Sequence, residues 1–126
     1  MIRIPDAGRF ELRLMDGASN PYLLQAGVIA AGLHGLNNKV NPGESLSCNM
    51  YTDYKNYPHL KKLPNEIQDA LEFLQNSKEL KEAFGEDVIT SYIKLKNMEI
   101  EDFNKNDKFD KESSVTHWEK NSTLDC

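Results

Sequence analysis

The chain carries one strictly alternating run near its start, Gly8-Arg9-Phe10-Glu11-Leu12-Arg13-Leu14. Successive side chains of a β-strand point to opposite faces, so a strand over residues 9–14 would sort these residues into two sets. The charged set is Arg9, Glu11 and Arg13, and the apolar set is Phe10, Leu12 and Leu14. The run therefore predicts a strand with one face for a core and one face for charge.

The chain has three arginines, Arg3, Arg9 and Arg13, all within its first thirteen residues. Later positive charge comes from lysine. Guanidinium is a rigid planar fork that grips phosphate or carboxylate through two hydrogen bonds, which lysine cannot do. With Glu11, the arginines suggest an anion site with one carboxylate placed for a metal ion or an ammonium group. The alternative, which the pattern alone favours, is a solvated strand face whose ion pairs serve structure.

Composition limits the class of protein. With 126 residues, 39% of them hydrophobic, the chain has the size of one ordinary domain or part of one. A net charge of -5 argues against general nucleic-acid binding. The longest apolar stretch, residues 21–36, is interrupted by Gln25, His34 and glycines, so we expect a soluble, unexported, cytoplasmic protein. Cys48 and Cys126 are predicted to be free thiols.

Helix signals follow the strand. Asn20-Pro21 supplies an N-cap and a proline at the first helical position, and residues 22–36 are apolar almost all round, which predicts a buried helix ending near Asn37. Residues 43–64 lack a clear period and are predicted to form a long surface loop. Asn65, with Gln68 three residues later, is predicted to cap the next helix.

Three further segments complete the prediction. A short helix is expected over residues 78–84, ended by Gly85, and a long one over about residues 87–103 with an isoleucine-rich stripe. Residues 104–114 are charged and expected to be loose. Trp118 is expected to anchor the final segment by packing.

Four runs together closely resemble one family: Arg3-Ile4-Pro5, Gly8 to Arg13, Asp16 to Leu23 and Ala31 to Lys39. In order and spacing they resemble the glutamine synthetases. The later helices and the ending from Trp118 to Cys126 look like the C-terminal portion of the same enzymes and most resemble the type III-like branch, which includes γ-glutamylmethylamide synthetases. The resemblance implies an α+β fold. It implies that residues 1–126 are the C-terminal part of the catalytic domain, with one or two active-site strands followed by mostly helical segments and the rest of the enzyme upstream.

The resemblance also implies roles for the charged residues. The family joins ammonia to L-glutamate through γ-glutamyl phosphate, using ATP and Mg²⁺ or Mn²⁺, in ring-forming homo-oligomers. By position, Glu11 resembles its metal-binding glutamate, and Arg13 resembles the arginine that grips the substrate carboxylate or the transferred phosphoryl group. Arg3 and Arg9 resemble arginines on the ATP phosphates. The loop before the strand, Asp6-Ala7-Gly8, is shorter than usual for the family, which puts a nucleotide contact from it in doubt.

Two alternatives stay open at this point. One alternative is an enzyme that uses another amine, such as methylamine, and the other is a non-catalytic assembly module of the same fold. In either case one family-matched carboxylate is too few for a divalent cation, so we expect the isolated chain to lack ligase activity. Outside the strand, His34 is read as a packed or surface histidine and Tyr51 as a loop contact, although Tyr51 falls near a tyrosine that some bacterial relatives modify.

Overall fold

The computed structural model describes residues 2–15, 17, 19–106 and 115–122. Two β-strands precede six α-helices in this part of the chain, which agrees with the predicted α+β class. The residues fall into two compact units, one formed by positions up to 28 together with those from 96 onward, and the other by positions 29–95. Across the described residues, no helix has the length and apolar character needed to cross a membrane.

The first unit begins with an antiparallel hairpin of β1, Ile2–Asp6, and β2, Arg9–Leu12. Its tight turn places Gly8 at a φ of +80°, a conformation that glycine adopts without steric cost. The strand prediction is confirmed, but β2 ends at Leu12 rather than Leu14. Within this chain, β1 pairs directly with one edge of β2.

A β-bulge divides the hairpin ladder. Ile2 pairs with Leu12 and Arg3 with Glu11, but the next pair is Asp6 with Arg9, so Ile4 and Pro5 together oppose Phe10. Proline has no N–H to donate to a ladder and is tolerated at such an irregularity. The extra residue returns Asp6 to the face that carries Arg3 and Glu11.

The apolar face of this hairpin is not a core among the described residues. Phe10 is 60% exposed, Leu14 is exposed as well, and Leu12 is half-buried. The side-chain alternation was correct, but the expectation of a covered face was wrong. The described residues leave that face largely open to solvent.

Helix α1 spans Pro21–Asn37, as predicted. The Asn20 side chain caps it, because its Oδ1 accepts hydrogen bonds from the backbone N–H groups of Tyr22 and Leu23, each at 3.0 Å. The prediction that α1 is buried is wrong: none of its residues reaches full burial, and Tyr22 is 82% exposed. An all-round apolar helix needs neighbours on every side, and the described residues do not supply them.

The predicted loop contains a short helical segment, made of α2, Met50–Asp53, and a 3₁₀ turn, Tyr54–Asn56. Helix α3 spans Ile67–Asn76. Its N-cap is Glu66, which makes no side-chain capping hydrogen bond, so the predicted capping box of Asn65 and Gln68 is wrong. With Glu66 at the cap, both residues are one position away from the places that a capping box requires.

Helix α4, Lys78–Phe84, has the predicted bounds. The Ser77 hydroxyl accepts the N–H of Leu80 at 3.3 Å, and Gly85 ends the helix at a φ of +89°. Helix α5, Glu86–Asn106, begins one residue before its prediction and ends three residues after it. Leu71 and Ile89 are the buried apolar residues of the described chain, and both lie in the second unit.

Helix α6, His117–Ser122, is held by what we call the Trp118 anchor, formed by Trp118, Phe103, Asp102, Thr116 and Glu119. The Trp118 and Phe103 rings pack edge-on, with their centroids 5.6 Å apart. The Nε1–H of Trp118 donates to Asp102 Oδ2 at 2.6 Å. The packing role predicted for Trp118 is confirmed. Residues 107–114 of the predicted loose tail, and Cys126, lie outside the described residues.

Candidate functional site

Glu11 lies among the three arginines of the chain. Its Oε2 accepts a hydrogen bond from Arg13 Nη2 at 2.9 Å and another from Arg3 Nη1 at 3.3 Å. Its Oε1 lies 3.6 Å from Arg9 Nη2. The structure therefore brings together all four residues that the sequence assigned to a site.

The hairpin explains this convergence. Arg9 and Glu11 lie two residues apart on β2, which places them on one face, and Arg3 is the cross-strand partner of Glu11. Arg13 follows the end of β2 by one residue and still reaches the same carboxylate. The sequence predicted the β2 residues by alternation, whereas the place of Arg3 depends on cross-strand register.

The charges on this face are unequal in exposure. The Glu11 side chain is 31% exposed, and the side chains of Arg3, Arg9 and Arg13 are all more than half exposed. The Arg13 hydrogen bond, followed by the hydrogen bond and charge of Arg3, lowers the pKa of Glu11 below its ordinary value. Glu11 is thus held as a carboxylate while the guanidinium groups remain accessible.

Asp6 is a fifth member of this group that the sequence reasoning missed. Its Oδ2 lies 3.7 Å from Arg9 Nη2, so Arg9 sits between two carboxylates. Simple alternation from Arg3 would place Asp6 on the other face, and only the bulge brings it back. We call Arg3, Asp6, Arg9, Glu11 and Arg13 the charged face of the hairpin.

The charged face carries three guanidinium groups and two carboxylates, and its chemistry suits an anion with several oxygens. The fit to a metal ion is partial. Among the described residues no three acidic, histidine or cysteine side chains gather at metal-binding spacing. Glu11 could supply one oxygen ligand, whereas Mg²⁺ prefers six.

Other residues considered from the sequence lie in separate places. His34 is exposed, with its Nδ1 3.3 Å from Asn38 Nδ2, as expected of a surface histidine. Tyr51 is 88% exposed on α2. Cys48 is a free thiol, as predicted, and its Sγ lies 3.6 Å from Met50 Sδ. A hydrogen bond with Cys48 raises the pKa of Tyr57, which the sequence analysis had not singled out.

The described chain is an α+β segment whose opening hairpin carries three arginines around one glutamate. The family model described as glutamine synthetase, catalytic domain, matches residues 1–120. The chain therefore belongs to the glutamine synthetase family, as the resemblance of its opening third implied.

Individual relatives agree with this assignment. The chain is 44% identical, over 99% of its length, to a glutamine synthetase of Rhizobium meliloti (strain 1021), and it covers 27% of that relative. It is 36% identical to a glutamate–methylamine ligase of Methyloversatilis universalis, with 99% of this chain and 27% of that relative covered. A solved structure described as a GmaS/ADP complex matches 100% of this chain and 27% of its own, with a TM-score of 0.76 and 39% identity. The chain thus spans about a quarter of the length of these relatives.

Proposed function

We propose that this chain forms part of an enzyme that joins ammonia to the γ-carboxylate of L-glutamate, with ATP and through γ-glutamyl phosphate. The observation that carries the proposal is the convergence of Arg3, Arg9 and Arg13 on Glu11 at 2.9 to 3.6 Å. Family membership supports it. The longer enzyme would bring the remaining ligands and, as we infer from the family, would assemble as a homo-oligomeric ring.

The three arginines of the charged face divide the phosphate and substrate contacts in this proposal. Arg3 and Arg9 would bind ATP phosphates, and Arg13 would hold the substrate carboxylate or the transferred phosphoryl group. Guanidinium groups that the hairpin already holds close together would need little reorganisation when negative charge spreads over the phosphoryl oxygens.

Glu11 would hold one position of a divalent cation, with the other ligands coming from outside this chain. Mg²⁺ or Mn²⁺, when bound, supplies further neutralisation of phosphate charge. The lowered pKa of Glu11 suits this part, because a carboxylate must be ionised to bind a cation. Arg13 and Arg3 occupy Oε2, so Oε1, which has only the longer contact with Arg9, is the oxygen better placed for such an ion.

A second candidate is ligation of methylamine in place of ammonia. The similarity to the methylamine ligase of Methyloversatilis universalis, at 36% identity, and to the GmaS structure, at 39%, favours keeping it. The charged face does not distinguish the two reactions, because phosphate and glutamate chemistry is common to both. A non-catalytic module is less well supported, since such a module has no need for three arginines around one glutamate.

The test uses a protein in which this chain replaces the matching segment of the Rhizobium meliloti relative. We expect glutamate- and ATP-dependent phosphate release when ammonia is added. Ammonia and methylamine are compared in the full-length enzyme that contains this chain, because the charged face itself does not distinguish the two amines. Glu11→Gln should lower kcat by roughly 10²-fold or more, the usual loss when one charge-stabilising group is removed. Glu44→Gln, an equal charge change on an exposed loop, is the control.

Full activity of the Glu11→Gln protein, at unchanged oligomer size in gel filtration, would contradict the proposed role of this face. The purified 126-residue chain alone is expected to form no glutamine, because Glu11 is one ligand of several. Glutamine formation by the chain alone would contradict that expectation.

A further inference from the structure

Asp6 differs from the other members of the charged face in what it contacts. Its carboxylate forms an ion pair with Arg9, with Oδ2 3.7 Å from Arg9 Nη2. The same nitrogen, Arg9 Nη2, lies 3.6 Å from Glu11 Oε1. One guanidinium nitrogen is therefore placed between two carboxylates at nearly equal distances.

The two distances decide what kind of restraint this is. Both exceed the 2.7–3.2 Å of an N–H···O hydrogen bond, whereas Arg13 and Glu11 approach to 2.9 Å. Arg13 is hydrogen-bonded to Glu11, and Arg9 is held by charge attraction from both sides. Arg9 Nη2 therefore makes no short hydrogen bond to either carboxylate, and the N–H groups of Arg9 are available to another acceptor.

The β-bulge is what makes this arrangement possible. Asp6 lies three residues beyond Arg3, so in a regular ladder its side chain would point to the opposite face. The two residues opposite Phe10 shift the register so that Asp6 pairs directly with Arg9. Bulges are commonly used to re-aim a side chain in this way.

From this geometry we propose that Asp6 is a positioning residue for Arg9: it draws the Arg9 guanidinium away from Glu11 and keeps its donors free for phosphate. The inference rests on the proposed function, because it assigns Arg9 to a phosphate. Without the Asp6 charge, Glu11 is the remaining carboxylate beside Arg9, and the guanidinium closes onto it. The short loop Asp6–Gly8 then needs no direct contact with the nucleotide, because Asp6 acts on the phosphate through Arg9.

The sign of one measurement separates this role from a general charge effect. Asp6→Asn removes a negative charge, so a general effect strengthens anion binding. A positioning role weakens it, because Arg9 is lost to Glu11. Asparagine is the matched replacement, since it suits the first position of a turn as well as aspartate does, and the hairpin turn is preserved.

The experiment uses the 126-residue chain, with inorganic tripolyphosphate and ATP as probes in calorimetric titrations. We expect Asp6→Asn to weaken tripolyphosphate binding roughly threefold to tenfold, which corresponds to partial loss of one charged hydrogen-bond contact. Asp6→Glu, which keeps the charge, should restore most of the affinity. Glu44→Gln, which makes the same charge change away from the hairpin, should bind equally or slightly more tightly.

A second readout needs no ligand. The Nε–Hε resonance of Arg9, observed in ¹⁵N-labelled chain, should shift in Asp6→Asn and not in Glu44→Gln. An unmoved Arg9 resonance, or Asp6→Asn binding as tightly as the unmodified chain, would overturn the positioning role and leave the proposed function standing. If the unmodified chain binds neither probe, Arg9 does not hold phosphate in this chain and the positioning role is overturned; the proposed function is judged separately, by the Glu11→Gln activity assay.

Discussion

The charged face of the hairpin and the Trp118 anchor are both built around a glutamate carboxylate, but the two regions differ in the exposure of the groups that it contacts. At the anchor, Glu119 Oε2 accepts the N–H and the hydroxyl of Thr116 at 2.7 and 2.8 Å, and Thr116 is buried. At the charged face, the three arginines remain more than half exposed. At the anchor, Thr116 and Glu119 form hydrogen bonds with each other, whereas the guanidinium groups of the charged face remain exposed to solvent.

This difference indicates that the Trp118 anchor stabilises the fold and that the charged face is suited to binding. Buried, paired groups with aromatic packing stabilise a fold, while exposed ion pairs contribute little to stability. Three arginines that share two carboxylates are an inefficient way to stabilise a hairpin, and they are well suited to an incoming anion. We therefore expect substitutions at the anchor to change unfolding and substitutions at the charged face to change binding.

The largest test of that comparison is Trp118→Ala. It removes the ring that contacts Phe103 and the donor to Asp102, and the expected loss is about 2 kcal/mol, below that of a fully buried tryptophan because this ring is half-buried. Urea unfolding followed by circular dichroism measures it. Trp118→Phe should lose less, since it keeps a ring and lacks only the N–H.

The matched substitution at the charged face is Arg13→Gln, measured in the same way. It should lower the free energy of unfolding much less than Trp118→Ala, because the Arg13 pair is exposed. Equal losses from the two substitutions would break the comparison and make the charged face structural.

How much of this could be read from the sequence depends on how local each signal is. The bounds of α4 were predicted to the residue, because Ser77 and Gly85 act on the helix ends beside them. Arg9 and Glu11 were placed on one face by the alternation of β2 alone. Local patterns of this kind need no knowledge of distant partners.

The errors lie where tertiary context decides. The burial of α1 was predicted from its composition, but burial depends on what packs against a helix, and Tyr22 is 82% exposed. The place of Asp6 depends on a bulge between two strands, which no single strand pattern reveals. Arg3 met Glu11 through cross-strand register, and its role was expected from family resemblance rather than from its neighbours.

A smaller effect is expected from Thr116→Ala at the start of α6. The Thr116 hydroxyl accepts the N–H of Glu119 at 3.1 Å, and Glu119 reciprocates with its carboxylate, as in a capping box. Loss of the hydroxyl should cost about 1 kcal/mol, measured by Trp118 fluorescence during urea unfolding. Thr116→Ser keeps the hydroxyl and should cost clearly less, and an equal loss would assign the effect to the methyl group instead.

The smallest expected effect is the pH dependence of stability at the charged face. The pKa of Glu11 is lowered from 4.5 in the folded chain, chiefly by the Arg13 hydrogen bond, so the unfolded chain binds a proton there more readily. The stabilisation is therefore complete above pH 4.5 and is lost as the pH falls through the lower folded pKa. In Arg13→Gln, a titration of ¹³C-labelled glutamate carboxyls should show the Glu11 pKa moving back toward 4.5. Glu79 is an internal control, because its pKa is lowered by its own backbone N–H and by Ser77, and that lowering should persist. If the Glu11 pKa does not rise in Arg13→Gln, Arg13 is not the main partner of Glu11, and the charged face is organised around Arg3 instead.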